Sequence, residues 1–269
     1  MERILIAAHR GLRGGNLVEN TLPALEAALR AGADILETDL KRTRDGVLVL
    51  FHDLDVHRLL PALHGPVRAY TLRELKSFGL RNGIGEDSGC TVTTLEELLS
   101  ALGGRCLLNL DQSEPFIGEA WELLGRYGMQ EQALFKGAPG CGEALAQLAD
   151  CGWQPRYVPV LRTAEDVRDF YALPPQARIP MAEVIFRRED EPVFAPDFRR
   201  ELARRGVRLW INALDLGKGL DMCARHNDTL SLLGRPGEGW GWLAAQGAGV
   251  IQTDFPGELR AWLQKDGKE

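Results

Sequence analysis

The run Ala33-Asp34-Ile35-Leu36-Glu37-Thr38-Asp39 and the run Val47-Leu48-Val49-Leu50-Phe51-His52-Asp53 decide the fold. Each is an apolar stretch that delivers polar side chains where it stops, the pattern of a buried strand in an α/β protein. Only seven residues, with Asp45-Gly46 among them, separate Asp39 from Val47. A parallel crossover needs about a dozen residues or more. The second run is therefore the return arm of a hairpin, turned at Asp-Gly. The chain rises past Asp39, turns and comes back, dropping His52 near Glu37 and Asp39.

Upstream, residues 3–8 read as the first strand, ending in His9-Arg10. A Gly-rich loop (Gly11, Gly14, Gly15) follows. Then comes a helix opened by Asn20 or Thr21, with Pro23 in its first turn and Gly32 as its stop. Downstream, residues 53–92 form an irregular insertion with one short helix near 72–77. Strands are then expected at 105–110, 132–135, 156–161, 182–186, 207–211 and 249–253, with helices at 95–102, 115–127, 142–150, 164–171, 196–205 and 256–264. With the hairpin arm left out, about eight strands alternate with helices, the pattern of a (β/α)8 barrel in one domain spanning 1–269.

At 269 residues the length suits one such barrel. A net charge of -6 and the lack of any Lys/Arg block argue against nucleic acid. The five cysteines (Cys90, Cys106, Cys141, Cys151, Cys223) are odd in number and show no C-x-x-C spacing, as expected for thiols in a reducing compartment. The first apolar run is too short and too weakly flanked for a signal peptide, and no run approaches a membrane span of about 20 apolar residues. A cytoplasmic chain without stable membrane association is expected.

A (β/α)8 barrel carries its chemistry at the C-terminal strand ends. In order these are His9-Arg10, Glu37 and Asp39, Asp111, Lys136, Arg162, Arg187, Asn212 and Asp254. Glu37 and Asp39 lie two apart on a strand and point the same way. Their mutual repulsion is relieved by a bound cation, with Asp111 as a third oxygen donor; the alternative is an ion pair of Glu37 inside the barrel. Oxygen-only ligands suit Mg²⁺ or Ca²⁺. His9 and His52 read as an acid–base pair, or each as a structural histidine. Arg10 and Lys136 suit nonbridging phosphate oxygens; Lys136 could equally pair with Asp111. Trp210 is either core or an apolar wall for an alcohol group, and Asn212 shares its strand face. Asn20 reads as a loop-fixing or capping residue. His57, His64 and His226 read as surface or loop residues, and 225–241 as a flexible, Gly-rich lip.

These residues resemble the glycerophosphodiester phosphodiesterase family, whose ordered pattern is H-R-G, E-N-T, E-x-D, T-x-D-G and H-D. Here they stand as His9-Arg10-Gly11, Glu19-Asn20-Thr21, Glu37-Thr38-Asp39, Thr43-Arg44-Asp45-Gly46 and His52-Asp53, and the closing strand Gly249 to Pro256 is similar too. The resemblance implies a (β/α)8 barrel with a small insertion after the second strand, a divalent cation on E-x-D plus a further carboxylate, and catalytic histidines at His9 and His52. Two departures stand out. The family's E-x-K is Asp111-Gln112-Ser113, so Lys136 is a candidate to restore the lost charge. The family's W-T-x-N is altered to Trp210-Ile211-Asn212.

The expected activity is metal-dependent hydrolysis of a small-molecule glycerophosphodiester to glycerol 3-phosphate and an alcohol, a reaction of lipid metabolism. Two rivals are weighed. A phospholipase D-like lyase acting on lysolipid head groups would want an apolar rim, for which Leu59, Leu60, Pro61 and Leu63 are candidates. A noncatalytic binder of phosphate esters would read Asp111 and the lost lysine as decay. Oligomeric state is not legible.

Overall fold

The computed structural model describes residues 3–141, 152–174, 177–217 and 219–267. The helix expected at 142–150 lies outside them, as does Cys151. The strands are β1 (Leu5–His9), β2 (Ile35–Arg42), β3 (Leu48–Leu50), β4 (Leu107–Asp111), β5 (Ala133–Gly137), β6 (Arg156–Leu161), β7 (Met181–Val184), β8 (Arg208–Asn212) and β9 (Ala248–Thr253). Their order is β1-β9-β8-β7-β6-β5-β4-β2-β3, with β1 also paired to β2. Setting aside β3, eight strands close on themselves, the (β/α)8 barrel expected from the alternation. The chain divides into two compact units, Ala8–Ala133 and Met1–Ala7 with Leu134–Glu269.

In the first unit β3 pairs antiparallel with β2, Leu40 opposite Leu50 and Arg42 opposite Leu48, so the short spacing does make a hairpin. The Phe51 amide extends it by donating to the Asp39 carbonyl at 3.0 Å. On its other edge β2 runs parallel to β4, and Asp39 stands directly beside Asp111. The helix Leu22–Arg30 starts after Thr21, whose hydroxyl donates to the Val18 carbonyl rather than capping. The insertion is anchored by its own core: Val56, Leu59, Leu60, Val67 and Leu75 pack on Val49 and Phe51 of the hairpin arm. Leu59 and Leu60 are 7% and 1% exposed. These two candidates for a lipid-facing rim are core residues instead.

The loop after β1 depends on one glycine. Gly11 has φ +85, and a Cβ there would meet the backbone of Ala24 and Leu25 at 2.7 to 2.9 Å. That approach lets the Leu12 amide donate to the Ala24 carbonyl at 2.9 Å, fixing the loop against the helix.

In the second unit β5 to β9 run parallel. Phe186, Phe194, Phe198, Leu243 and Leu259 belong to the core that covers them. The expected strand 182–186 stops at Val184, and Phe186 makes a separate bridge to Cys223. The segment 225–241, expected as a flexible lip, holds the helix Asp228–Leu232 and the start of the helix Trp240–Ala245. The buried Asp228 carboxylate ties it down, accepting from Trp240 Nε1 at 2.8 Å, Thr253 Oγ1 at 2.8 Å and the Asp254 amide at 3.0 Å. Burial pushes this carboxyl up to about 7, with Asp254 adding to the rise, against the three donors that favour its charged form. Among the described residues no helix is long and apolar enough to cross a membrane.

Gly11→Ala is expected to cost roughly 1–3 kcal/mol, read from urea unfolding. Asp228 also links stability to pH. Its folded pKa is raised, so its contribution is full below about 4, the ordinary carboxylate value, and is lost as pH rises through about 7. Urea midpoints between pH 4 and 8 should fall less steeply in Asp228→Asn than in the unmodified protein.

Candidate active site

Strand pairing brings three carboxylates together. Glu37 and Asp39 share one face of β2 because side chains alternate along a strand. Asp111, at the end of β4, is the register partner of Asp39. One oxygen from each of Glu37, Asp39 and Asp111 lies within 4.8 Å of the others. Glu37 and Asp39 are 1% exposed. Buried like charges this close demand positive compensation, and an all-carboxylate oxygen set fits a hard divalent cation.

Each carboxylate also receives a donor from a residue in the left-handed backbone region. Arg10, at φ +55, donates its amide to Glu37 Oε2 at 3.0 Å. Asn20, at φ +57, donates Nδ2 to Asp39 Oδ2 at 3.0 Å and accepts the Thr38 hydroxyl at 2.6 Å. Gln112, at φ +52, donates its amide to Asp111 Oδ1 at 2.7 Å. Such conformations are uncommon outside glycine and cluster at functional sites. Asn20 is thus the loop-fixing residue expected, and it orients Asp39.

Gln112 does more. Its side-chain Nε2 donates to Asp39 Oδ1 at 2.8 Å and to the His52 carbonyl at 3.3 Å, while its Oε1 accepts from Lys41 Nζ. Burial lowers the Lys41 ammonium below its ordinary value, against the pull of Asp39, Asp111 and Asp53. Arg10 Nε sits 3.2 Å from Asp39 Oδ2 as an ion pair that lacks hydrogen-bond geometry. Its Nη1 donates to Glu19 at 3.1 Å.

His52 follows β3 and is 37% exposed at its side chain. Its Nδ1 lies 2.8 Å from Asp53 Oδ1. Arg58 Nε donates to Asp53 Oδ2 at 2.5 Å and Arg58 Nη2 to Glu19 at 2.6 Å. Burial alone would raise the Asp53 carboxyl, yet His52 and Arg58 hold it well below the carboxylate range. Asp53 is therefore ionised and can only accept, so His52 carries its proton on Nδ1 and presents Nε2. His9 ends β1, is 4% exposed, and precedes the Arg10 amide that holds Glu37.

The remaining sequence candidates fall in the second unit. Lys136 lies within β5 and pairs with Glu183 at 2.9 Å, both buried. Asn212 donates to Glu183 Oε1 at 2.8 Å, and the fully buried Trp210 donates Nε1 to Asn212 at 3.0 Å and to Gln252 at 3.1 Å. Arg162 and Arg187 are exposed. Sequence reading missed Lys41, Arg58, Gln112 and Glu183. Lys41 alone left a signal, two residues beyond Asp39 on the same strand face. His57 and His64 are exposed and His226 lies in a loop, as expected; its ring stacks on Trp242 at 3.7 Å between centroids.

Residues 9–141, which carry the whole triad, match the model of the glycerophosphoryl diester phosphodiesterase family. Over these residues, just under half of the chain, the sequence is similar to that family. Residues 157–263 match a domain of unknown function. A glycerophosphodiester phosphodiesterase of Bacillus altitudinis is 41% identical over 101 residues, 37% of this chain and 40% of that protein. One from Caldanaerobacter subterraneus is 36% identical over 107 residues, 39% and 43%. The chain spans under half the length of these relatives. A crystal structure of a glycerophosphoryl diester phosphodiesterase from Parabacteroides distasonis superposes with a TM-score of 0.73 at 22% identity, covering 98% of this chain and 87% of that one. An Oleispira antarctica phosphodiesterase, solved with the product sn-glycerol-3-phosphate, gives 0.67 at 20% identity, with 97% of each chain covered. At these identities the structural likeness speaks for the fold.

If Asn20 orients a metal-binding Asp39, Asn20→Gly should lower Ca²⁺ or Mg²⁺ affinity by roughly 10–100-fold in calorimetry. Glycine keeps the left-handed conformation available, so Asn20→Ala should unfold at lower urea than Asn20→Gly.

Proposed function

We propose that this protein hydrolyses a glycerophosphodiester to glycerol 3-phosphate and an alcohol with the help of a divalent cation, Mg²⁺ or Ca²⁺. The observation that carries the reading is the acidic triad, each member held by a separate strained donor. The family match supports the substrate class, as does the product bound to the Oleispira antarctica relative.

Glu37, Asp39 and Asp111 would hold the cation, which when bound supplies polarisation of the phosphoryl group. Arg10 stabilises charge on the nonbridging oxygens. His9 and His52 exchange the protons, one taking a proton from the attacking hydroxyl and the other giving one to the departing alkoxide. Asp53 keeps His52 Nε2 turned outward for that exchange, and Arg58 keeps Asp53 ionised. Lys136, Trp210 and Asn212 are assigned to the substrate on the strand-end argument, with Glu183 and Gln252 joined to them by hydrogen bonds and the Lys136 ion pair. The described thiols, Cys90, Cys106 and Cys223, are free, which accords with a cytoplasmic setting.

The test is a metal-supplemented screen of phosphodiesters carrying different alcohols, with lysolipids beside their deacylated counterparts. Glycerol 3-phosphate release that depends on Mg²⁺, Ca²⁺ or Mn²⁺ is expected. His9→Ala and His52→Ala should each lower kcat/KM by roughly 10²–10⁴ without loss of fold. Rates like the unmodified protein's in either variant would end the acid–base assignment, and no turnover with any metal would favour a noncatalytic binder.

A further inference from the structure

A phosphodiester anion brought up to three carboxylates needs cations beside it. Arg10 is shared between Glu19 and Asp39, and Arg58 between Glu19 and Asp53. Lys136, the sequence's candidate for this task, is matched by Glu183 at 2.9 Å. Lys41 is different. It follows Glu37 and Asp39 on the same face of β2, and among the described residues its hydrogen-bond partner is a neutral amide, Gln112 Oε1.

The amide cannot turn over to release it. Gln112 Nε2 is committed to two acceptors, Asp39 Oδ1 at 2.8 Å and the His52 carbonyl at 3.3 Å. Reversing the side chain would set an oxygen against both and an NH₂ against the ammonium. The Gln112 backbone is fixed as well, by its amide bond to Asp111 Oδ1 at 2.7 Å. The ammonium is therefore held one carboxamide away from Asp39 without an ion pair to it, and an ammonium has three donors of which this bond uses one.

We propose that Lys41, positioned by Gln112 beside the acidic triad, is a substrate-binding residue that donates to a nonbridging oxygen of the phosphodiester. This rests on the reading of the triad as a phosphodiester site. Lys41 brings a positive charge and two further N–H donors to an anion at that site. Gln112 is the positioning residue that stops Lys41 from collapsing onto Asp39, where it would compete with a metal ion.

The test compares the unmodified protein with Lys41→Met, Lys41→Gln and Lys41→Arg, using calorimetry with Mn²⁺ and then with sn-glycerol 3-phosphate on the Mn²⁺-loaded protein. Loss of one charged hydrogen bond should weaken sn-glycerol 3-phosphate by roughly ten- to a hundredfold in Met and Gln. Mn²⁺ should bind as tightly as before or more tightly, because a neighbouring positive charge has gone. Arg should keep most of the anion affinity, and KM should rise more than kcat falls. Unchanged anion affinity in both neutral variants overturns the proposal. So does a parallel loss of Mn²⁺ and anion binding, which marks a merely structural lysine. If the unmodified protein binds metal and anion in a Lys41-dependent way but turns over no diester, the Lys41 assignment stands and hydrolysis falls. If it binds no anion, both fall.

Discussion

The register between β2 and β4 is the constraint on which the candidate site depends. Asp39 stands beside Asp111, and the two-residue repeat of a strand adds Glu37 to the same face. Slipping either strand by one residue would turn its carboxylates to the opposite face. The hairpin arm pins the other edge of β2, through Leu40 opposite Leu50 and the Phe51 bond to Asp39. With both edges paired, three acids converge whatever their mutual repulsion, and the surroundings must compensate.

Part of that compensation is backbone geometry. Arg10, Asn20 and Gln112 each adopt a conformation that costs of order 1–3 kcal/mol, and each reaches a different carboxylate of the triad. Packing holds the first of these turns through Gly11, where no side chain fits between the loop and the helix Leu22–Arg30. The same turns aim donors where negative charge accumulates, so the strain and the electrostatics have one cause. The relay from Glu19 through Arg58 and Asp53 to His52 works in the same manner. Ion pairs this open to solvent add little net stability, but they fix which nitrogen of His52 is left free of Asp53.

The hairpin, the alternation of strands and helices and the carboxylates on β2 and β4 were legible because each depends on spacing along the chain. The short gap between Asp39 and Val47 excludes a parallel crossover, and polar residues at the ends of apolar runs mark strand ends. What escaped was set by contacts between distant segments. Arg58 lies in an irregular insertion whose path no periodicity reveals, and Glu183 sits in the middle of a short apolar strand. Leu59 and Leu60 look like a surface rim until the insertion is seen to have its own core. Residues 225–241 look loose by their glycines, but Asp228 ties them through Trp240, Thr253 and Asp254.

By itself the sequence determined the repeating architecture, the hairpin and the identity of the acids and histidines, because local geometry dictates which way successive side chains point. Only the tertiary structure decided how those groups are charged and aimed. Gln112 sits between Lys41 and Asp39, Asp53 between His52 and Arg58, and Glu183 beside Lys136. Coulomb and hydrogen-bond energies depend on distance in space, and a span of 71 residues from Lys41 to Gln112 carries no hint that their side chains meet.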